Sequence, residues 1–294
     1  MSQAFPSARQ AFGGSYSQAR EDWALYEQFH EHWSRDFRGV FVEMGALDGV
    51  SHSNSLAYER WLNWTGVLIE ANPSSCAELF ERRRSGATVN LCTAIANSTT
   101  RSVTFEQGAY QATFAAKDAM SASYRAHWHT SGAKARREVV VPAQPLGRLL
   151  RMVGVAKVDA FFLDVEGSEL QVLRTFDWSL PVHVWCIEVQ PETAAATRAL
   201  LASHGYTRTP WRYASGIKLL RRRELLLQSE LFVRDGAWSD ERYSWAPESP
   251  WTQPPKWARD RAARARRQAL REPYPAPAAD SLRSGDAPRT YGLR

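Results

Sequence analysis

The stretch VDAFFLDVEGSELQVLRTF (158–176) contains the clearest strand–turn–helix unit of the chain. Its apolar beginning predicts a buried strand that ends before Asp164. A glycine then marks a turn, and Ser168 begins a helix on which Leu170 and Leu173 share one face. A buried strand that ends in an acidic residue and leads into a helix is the repeating unit of an α/β domain.

Related units lie on both sides of this stretch, and strands alternate with helices about five times along the chain. The further strands are predicted within GVFVEMGALDGV (39–50), GVLIEANP (66–73), 87–95, VHVWCIEVQ (182–190) and 224–234. This alternation predicts an α/β fold, namely a doubly wound, mostly parallel Rossmann-like sheet with helices on both faces. Ligands bind such sheets at the carboxyl ends of the strands.

The predicted domain occupies residues 21–240, with an insertion near 108–137 that shows little strand or helix periodicity. Residues 1–20 are rich in Ser, Gln, Ala and Gly, so we expect weak order there. Residues 245–294 carry eight of the 15 prolines, and ten Lys or Arg against five Asp or Glu. We expect these residues to form an extended tail, which holds most of the formal net charge of +6.

The cysteine pattern argues against a zinc site and against a disulfide scaffold, because Cys76, Cys92 and Cys186 are widely separated and form no CxxC pair. A reducing compartment is the simplest expectation. No apolar run reaches the roughly 20 residues that span a bilayer, and the N-terminus lacks the apolar segment of a secretory signal. We therefore expect a soluble, cytoplasmic protein with no membrane partner.

Three acidic residues, Glu43, Glu70 and Asp164, each follow an apolar run and precede a turn. The carboxyl ends of parallel strands meet at one edge, so these acids are expected to converge there. Acids at such positions also cap helices or turns. The loop at the end of the first predicted strand, residues 43–49, is called the first loop. It contains Gly45 and Gly49, but it is not G-x-G-x-x-G and has no P-loop lysine. It therefore favours a nucleoside without a phosphate chain.

Glu70 supports a nucleoside ligand, because an ionised carboxylate can accept hydrogen bonds from both ribose hydroxyls. NAD-dependent enzymes use an acidic residue in the same way. The absence of a G-x-G-x-x-G motif argues against NAD as the ligand.

Four stretches together resemble the FkbM-type methyltransferase family over roughly residues 16–205: FVEMGALDGVSHSN (41–54), GVLIEANP (66–73), LCTAIAN (91–97) and FFLDVEGSELQVLRTFD (161–177). The resemblance implies a class I methyltransferase fold and S-adenosylmethionine as the cofactor. It also implies methyl transfer, with a hydroxyl of a small molecule or sugar as the expected acceptor. The acceptor itself is not named by the sequence.

The resemblance further implies a set of cofactor-binding residues. The methionine and ribose part would lie against Glu43, Gly45, Asp48 and Asn54. The ribose would be held by Glu70, and the adenine would lie beside Ala71, Asn72, Ala94 and Ile95. Asp164 would lie near the methionine amino group or the reacting centre.

Asp164 and Glu166 are the candidate catalytic bases, because side chains at i and i+2 of an extended segment point to the same side. The pair would also suit one divalent cation bound through oxygen, although we do not predict a metal. Glu166 could instead cap the helix that begins near Ser168. Glu188 could contact the acceptor or cap the helix that follows it.

Within the insertion, His127 and His129 could be ligands or a base, and an exposed loop is the more ordinary interpretation. Lys134, Arg136 and Arg137 could hold an anionic acceptor or lie at a solvated loop edge. If the insertion folds over the site, it would shape the acceptor pocket.

Three other functions compete with a small-molecule methyltransferase. The basic tail would suit a nucleic-acid-binding protein or a nucleic-acid methyltransferase. This is disfavoured by a nearly neutral domain and by the lack of an N/D-P-P-Y/F motif. A non-catalytic adenosine-binding scaffold is disfavoured by the intact acids, and an NAD-dependent oxidoreductase by the first loop.

Overall fold

The eleven strands of the described residues fall into a central and a smaller sheet. The computed structural model describes residues 8–33, 37–108, 113–120, 125, 137–211 and 229–237. In chain order the strands are β1 (Val40–Met44), β2 (Thr65–Glu70), β3 (Thr88–Cys92), β4 (Ala94–Ile95), β5 (Ser102–Gln107), β6 (Phe114–Ala116), β7 (Arg137–Gln144), β8 (Val158–Leu163), β9 (Val182–Glu188), β10 (Tyr206–Thr209) and β11 (Ser229–Arg234).

The α-helices of the same residues connect or flank these strands, and a 3-10 turn, His30–His32, follows the second helix. They are α1 (Ala8–Phe12), α2 (Glu21–Phe29), α3 (Leu56–Leu62), α4 (Pro73–Arg82), α5 (Leu146–Met152), α6 (Glu169–Arg174) and α7 (Ala194–Ser203). None of them is long and apolar enough to cross a lipid bilayer.

The central sheet has seven strands in the order β10-β11-β9-β8-β1-β2-β3. Strands β3, β2, β1, β8 and β9 are parallel, and β11 is antiparallel to both of its neighbours. From β1 the chain winds outward through β2 to β3, and it later returns to β8 on the other side of β1. The predicted doubly wound, mostly parallel sheet is therefore confirmed, with its switch point between β1 and β8.

Each face of the central sheet carries its own apolar core, because alternate residues of a strand point to opposite faces. Along β1, Val40 and Val42 belong to one core and Phe41 to the other. The first core also contains buried residues of α5, α6 and α7, and the second contains buried residues of α1 to α4. Helices thus cover both faces, as the alternating sequence predicts.

The smaller sheet, in the order β4-β7-β5-β6, comes from residues 94–144. It includes part of the predicted insertion, since β6 lies within it and Arg137 begins β7. A separate apolar core, with Phe105 stacked on Phe114, holds β5 and β6 together. His127, His129, Lys134, Arg136 and the tail at 245–294 lie outside the described residues.

The described residues of the start of the chain, from 8 onward, include the helix α1. This helix packs on the domain with Ala8 and Phe12 buried, and the weak order expected over residues 1–20 stays a prediction. The Phe12 ring meets Tyr26 and Tyr58 edge-on, with centroids 4.9 Å and 5.5 Å away. One large aromatic side chain thus anchors a segment that is otherwise rich in small and polar residues.

Cys76 and Cys92 form a disulfide bond, with Cα atoms 5.8 Å apart. The expectation that the cysteines form no disulfide is therefore wrong. Although 16 residues apart, they become neighbours because α4 folds back along β3, where Cys92 lies opposite Glu70 in register. The inference of a reducing compartment rested on the same cysteines and loses its basis. A cytoplasmic location stays a prediction.

We expect Cys92→Ser to lower the free energy of unfolding by about 3 kcal/mol, the value for a crosslink that closes a loop of about 15 residues. Urea unfolding with and without a reductant measures the effect. Reductant should destabilise the wild type and leave the variant unchanged. Equal sensitivity of both proteins, or of neither, would contradict the disulfide.

Candidate active site

A cavity of about 560 Å³ lies at the switch point of the central sheet. Its size is typical of small-molecule sites. The ends of β1, β2 and β8 form its floor, and the smaller sheet and α6 border it further out. The lining includes Gln18, Met44, Gly45, Leu47, His52, Asn54, Glu70, Ala71, Thr93, Ala94, Ile95, Asn97, Ser102, Phe105, Phe114, Asp118, Asp164, Glu166, Ser168, Gln171 and Arg174.

Gly45 lets the ends of β1 and β8 meet. Its φ of +84° is in the left-handed region, and a Cβ atom added there would lie 1.7 Å from the backbone oxygen of Asp164. The Gly45 N–H donates to the carbonyl of Ile69 at 3.0 Å, which ties the loop to β2 as well. The first loop therefore passes close to two strand ends, and its glycine is required by contact as well as by conformation.

Glu43 holds the segment that follows the first loop. One carboxylate oxygen accepts the Asn54 N–H at 2.7 Å, and the other accepts the hydroxyls of Ser53, at 2.9 Å, and Ser55. Burial raises the pKa of Glu43, and the Arg83 guanidinium acts in the opposite direction. Glu43 borders the cavity as predicted, but its contacts assign it mainly to shaping the loop.

Arg83 supports the same loop from behind and was not predicted. Its side chain is 1% exposed, and its guanidinium forms an ion pair with Glu59 at 2.6 Å. It also donates to the Gly49 carbonyl at 2.7 Å and to Ser53 Oγ at 3.2 Å. A buried guanidinium is costly unless its N–H groups are paired, and these contacts pair them. The same contacts join α3, α4 and the first loop into one rigid support.

Glu70 ends β2 with its carboxylate bordering the cavity. Its two oxygens accept the N–H groups of Leu47 and Asn72, each at 2.7 Å. Burial is the main cause that raises the pKa of Glu70 to about 7. Each carboxylate oxygen has a second lone pair, so Glu70 can still accept hydrogen bonds from a ligand.

Asp48 and Asn72 are not among the residues that line the cavity. Asp48 accepts the Ser51 N–H at 2.7 Å and pairs with Arg82 at 2.6 Å. Asn72 caps α4 by accepting the Ser74 N–H at 3.0 Å. Short polar side chains often accept hydrogen bonds from nearby backbone groups in this way, so both residues have structural roles close to their own positions. Their predicted contacts with a cofactor stay predictions.

Two polar atoms at the cavity have no hydrogen-bond partner among the described residues. They are Asn54 Oδ1 and Ser168 Oγ, and both atoms are buried. Buried polar groups in folded proteins are normally satisfied, so such atoms point to a polar ligand. Ala71, Ala94 and Ile95 line the cavity with small or apolar surface, which suits the face of a flat base.

The acids at the ends of β8 and β9 form one cluster. Oxygen atoms of Asp164, Glu166 and Glu188 lie within 4.8 Å of one another, a spacing that could also hold a divalent cation. Asp164 and Glu166 border the cavity. Glu188 is not among the residues that line the cavity. The helix after it, α7, begins at Ala194, and its N-cap residue Thr193 makes no side-chain capping bond. The two roles left open for Glu188 stay predictions.

His52 is a further cavity residue that the sequence did not single out. It has a φ of +60°, unusual for a residue with a side chain. Burial raises the pKa of Asp164, and the nearby His52 acts in the opposite direction. The backbone of Ser17 bridges to His52, so the segment before α2 closes this side of the cavity. No local motif marks such a residue, since its position depends on contacts between distant segments.

The family assignment follows from a match between residues 43–208 and the model of the Methyltransferase FkbM domain. This match spans more than half of the chain and contains the end of β1 and all of β2, β8 and β9, with their terminal acids. The chain belongs to the FkbM methyltransferase family. The resemblance seen in the sequence is thereby confirmed, and the protein is a methyltransferase by family.

Comparison with individual proteins adds little to the family match. No curated protein matches the chain. A solved structure of precorrin-6y C5,15-methyltransferase from Geobacter metallireducens GS-15 is 12% identical to it. The match covers 67% of this chain and 78% of that one, with a TM-score of 0.36. No argument rests on a likeness of this degree.

Gly45→Ala tests the close contact between the strand ends. The new Cβ would overlap the Asp164 carbonyl, so we expect a loss of more than about 1 kcal/mol in the free energy of unfolding. Gly14→Ala is the matched control, because a Cβ there meets nothing within 4 Å. Urea unfolding compares the two. A Gly45→Ala protein as stable as the control would show that the strand ends lie farther apart.

Proposed function

We propose that the protein is an S-adenosylmethionine-dependent methyltransferase that acts on a hydroxyl group of a small molecule or sugar. The observation that carries the proposal is Glu70, an acid at the end of β2 whose carboxylate faces a cavity at the switch point. This placement suits the two hydroxyls of a ribose. The family supports the cofactor assignment.

The cavity fits this cofactor in its hydrogen-bond acceptors and its charge. Glu70 would hold the ribose, and Ala71, Ala94 and Ile95 would lie along the adenine. The methionine end carries an ammonium and a sulfonium. Asp164 offers negative charge near both, and the unpartnered Asn54 Oδ1 offers an acceptor for the ammonium N–H groups. The cofactor has no phosphate, which agrees with a first loop that lacks a phosphate-binding lysine.

The cofactor would supply a methyl group on its positively charged sulfur. The chain's own part is to hold the acceptor oxygen in line with that methyl group, a positioning effect of large size. Asp164 and Glu166 border the cavity and are the candidates to accept the hydroxyl proton. Further polar side chains face the same space from β5 and α6, among them Ser102 and Gln171, and would border the acceptor.

The hydroxyl preference comes from the family resemblance together with these acids. No contact in the described residues favours nucleic acid, NAD or a purely non-catalytic role, and the basic tail lies outside them. A small, polar acceptor suits a cavity of this size.

Glu70→Gln tests the ribose assignment. Hydrogen bonds to a charged acceptor contribute about 1.5–3 kcal/mol each, so we expect at least tenfold weaker binding of S-adenosylmethionine. Calorimetry measures the affinity, and Glu81→Gln on the exposed surface of α4 is the control. Wild-type affinity in a folded Glu70→Gln protein would remove Glu70 from the site.

The same carboxylate predicts a pH dependence. Burial raises the pKa of Glu70 to about 7, and only the ionised form accepts both hydroxyls, so cofactor affinity should fall as the pH drops through about 7. Glu21 and Glu169 also have pKa values raised to about 7. The part due to Glu70 is the difference between wild type and Glu70→Gln, whose pH profile should be flatter. Parallel profiles would contradict this origin.

The activity itself is tested by incubating the protein with S-adenosylmethionine and a panel of sugars and other hydroxyl compounds. We expect release of S-adenosylhomocysteine with one class of hydroxyl acceptor, and its loss in Asp164→Asn. Methylation only of amines, thiols or nucleic acid would overturn the hydroxyl assignment while leaving the cofactor assignment intact.

A further inference from the structure

The Cys76–Cys92 disulfide crosslinks the two segments along which the adenine is proposed to lie. One segment is the end of β2 with the residue after it, 70–71, and the other is 93–95; both line the cavity. Cys92 ends β3 directly before the second segment, and Cys76 lies near the start of α4, which follows the first. The bond between them therefore fixes how far apart the two segments lie.

Backbone hydrogen bonds connect the crosslink to Glu70. The Cys76 N–H donates to the Asn72 carbonyl at 2.8 Å, and the Asn72 N–H donates to the Glu70 carboxylate at 2.7 Å. On the other side, the Thr93 N–H donates to the Glu70 carbonyl at 3.0 Å. Both halves of the disulfide are thus joined, through one or two hydrogen bonds, to the residue that would hold the ribose.

The two cysteines differ in exposure, which sets how a reductant would reach them. Cys92 is exposed, whereas Cys76 is buried. A thiolate of a dithiol would form a bond to Cys92 Sγ, the S–S bond would break, and Cys76 Sγ would leave and take up a proton. The second thiol of the reductant would then release Cys92 as a thiol. The protein gains two electrons and two protons, and the dithiol is oxidised to a disulfide.

We propose that this disulfide is a redox switch of the cofactor site, and that its reduction by a dithiol weakens the binding of S-adenosylmethionine. The inference rests on the proposed function, because the switch acts on the same cavity. Without the crosslink, the segments at 70–76 and 92–95 move more freely, and a ligand that needs them fixed binds less tightly. Thr93 Oγ1 still donates to the Pro142 carbonyl at 3.0 Å, so reduction loosens this side of the cavity without detaching it.

Amide NMR of the protein without cofactor tests the first part of the inference. The N–H groups of Leu47 and Asn72 both donate to the Glu70 carboxylate, and neither residue is next to a cysteine in sequence. We expect dithiothreitol to shift both resonances and reoxidation to restore them. Unchanged resonances in a protein whose thiols react with iodoacetamide would overturn the inference, as would cysteines that are already free before reduction. Either outcome leaves the proposed function standing.

Calorimetry with S-adenosylmethionine tests the second part. We expect dithiothreitol to weaken binding to the wild type at least about fivefold. Cys92→Ser should bind like the reduced wild type and should not respond to the reductant. Cys186→Ser is the matched control, because it removes the free, buried cysteine and keeps the crosslink, so it should respond like the wild type.

The comparison of oxidised and reduced wild type decides the matter even if Cys92→Ser does not fold. Equal affinities of the two forms, with both shown to be folded by circular dichroism, would overturn the redox switch. Absence of binding to the oxidised wild type would instead refute the proposed function, and the amide NMR would still show whether the crosslink controls the surroundings of Glu70.

Discussion

The site depends on the meeting of β1 and β8 at their carboxyl ends, where Gly45 passes against the backbone oxygen of Asp164. The chain leaves these two strands in opposite directions, which opens a cavity between them. Any side chain larger than hydrogen at position 45 would separate the strand ends. This contact thus sets the distance between Glu70, where the ribose is proposed to bind, and the acidic edge at Asp164.

Rigid support keeps that distance constant. Behind the first loop, Glu43 and the buried Arg83 satisfy the hydroxyls and backbone groups that the loop would otherwise leave unpaired. On the far side of Glu70, the Cys76–Cys92 disulfide joins α4 to β3. The cavity is therefore enclosed by segments that are individually short and are held by polar networks and one crosslink, as preorganised binding requires.

Local pattern was enough to predict the parallel strands of the central sheet and their terminal acids, because each of these strands is apolar, short and followed by a turn. It also placed Glu43, Glu70 and Asp164 at one edge. It did not predict β5, β6 or β10. Pattern could not predict the partners of Arg83, the side of the cavity closed by His52, or the disulfide. Those features arise where segments distant in sequence meet, and no spacing within the chain records such contacts.

The crystal structure of a complex with S-adenosylhomocysteine is the most direct measurement of the central claim. The account predicts the nucleoside in the cavity at the switch point, with its ribose hydroxyls hydrogen-bonded to the Glu70 carboxylate and its amino group near Asp164. A nucleoside bound elsewhere, or a ribose that leaves Glu70 without contact, would contradict the account.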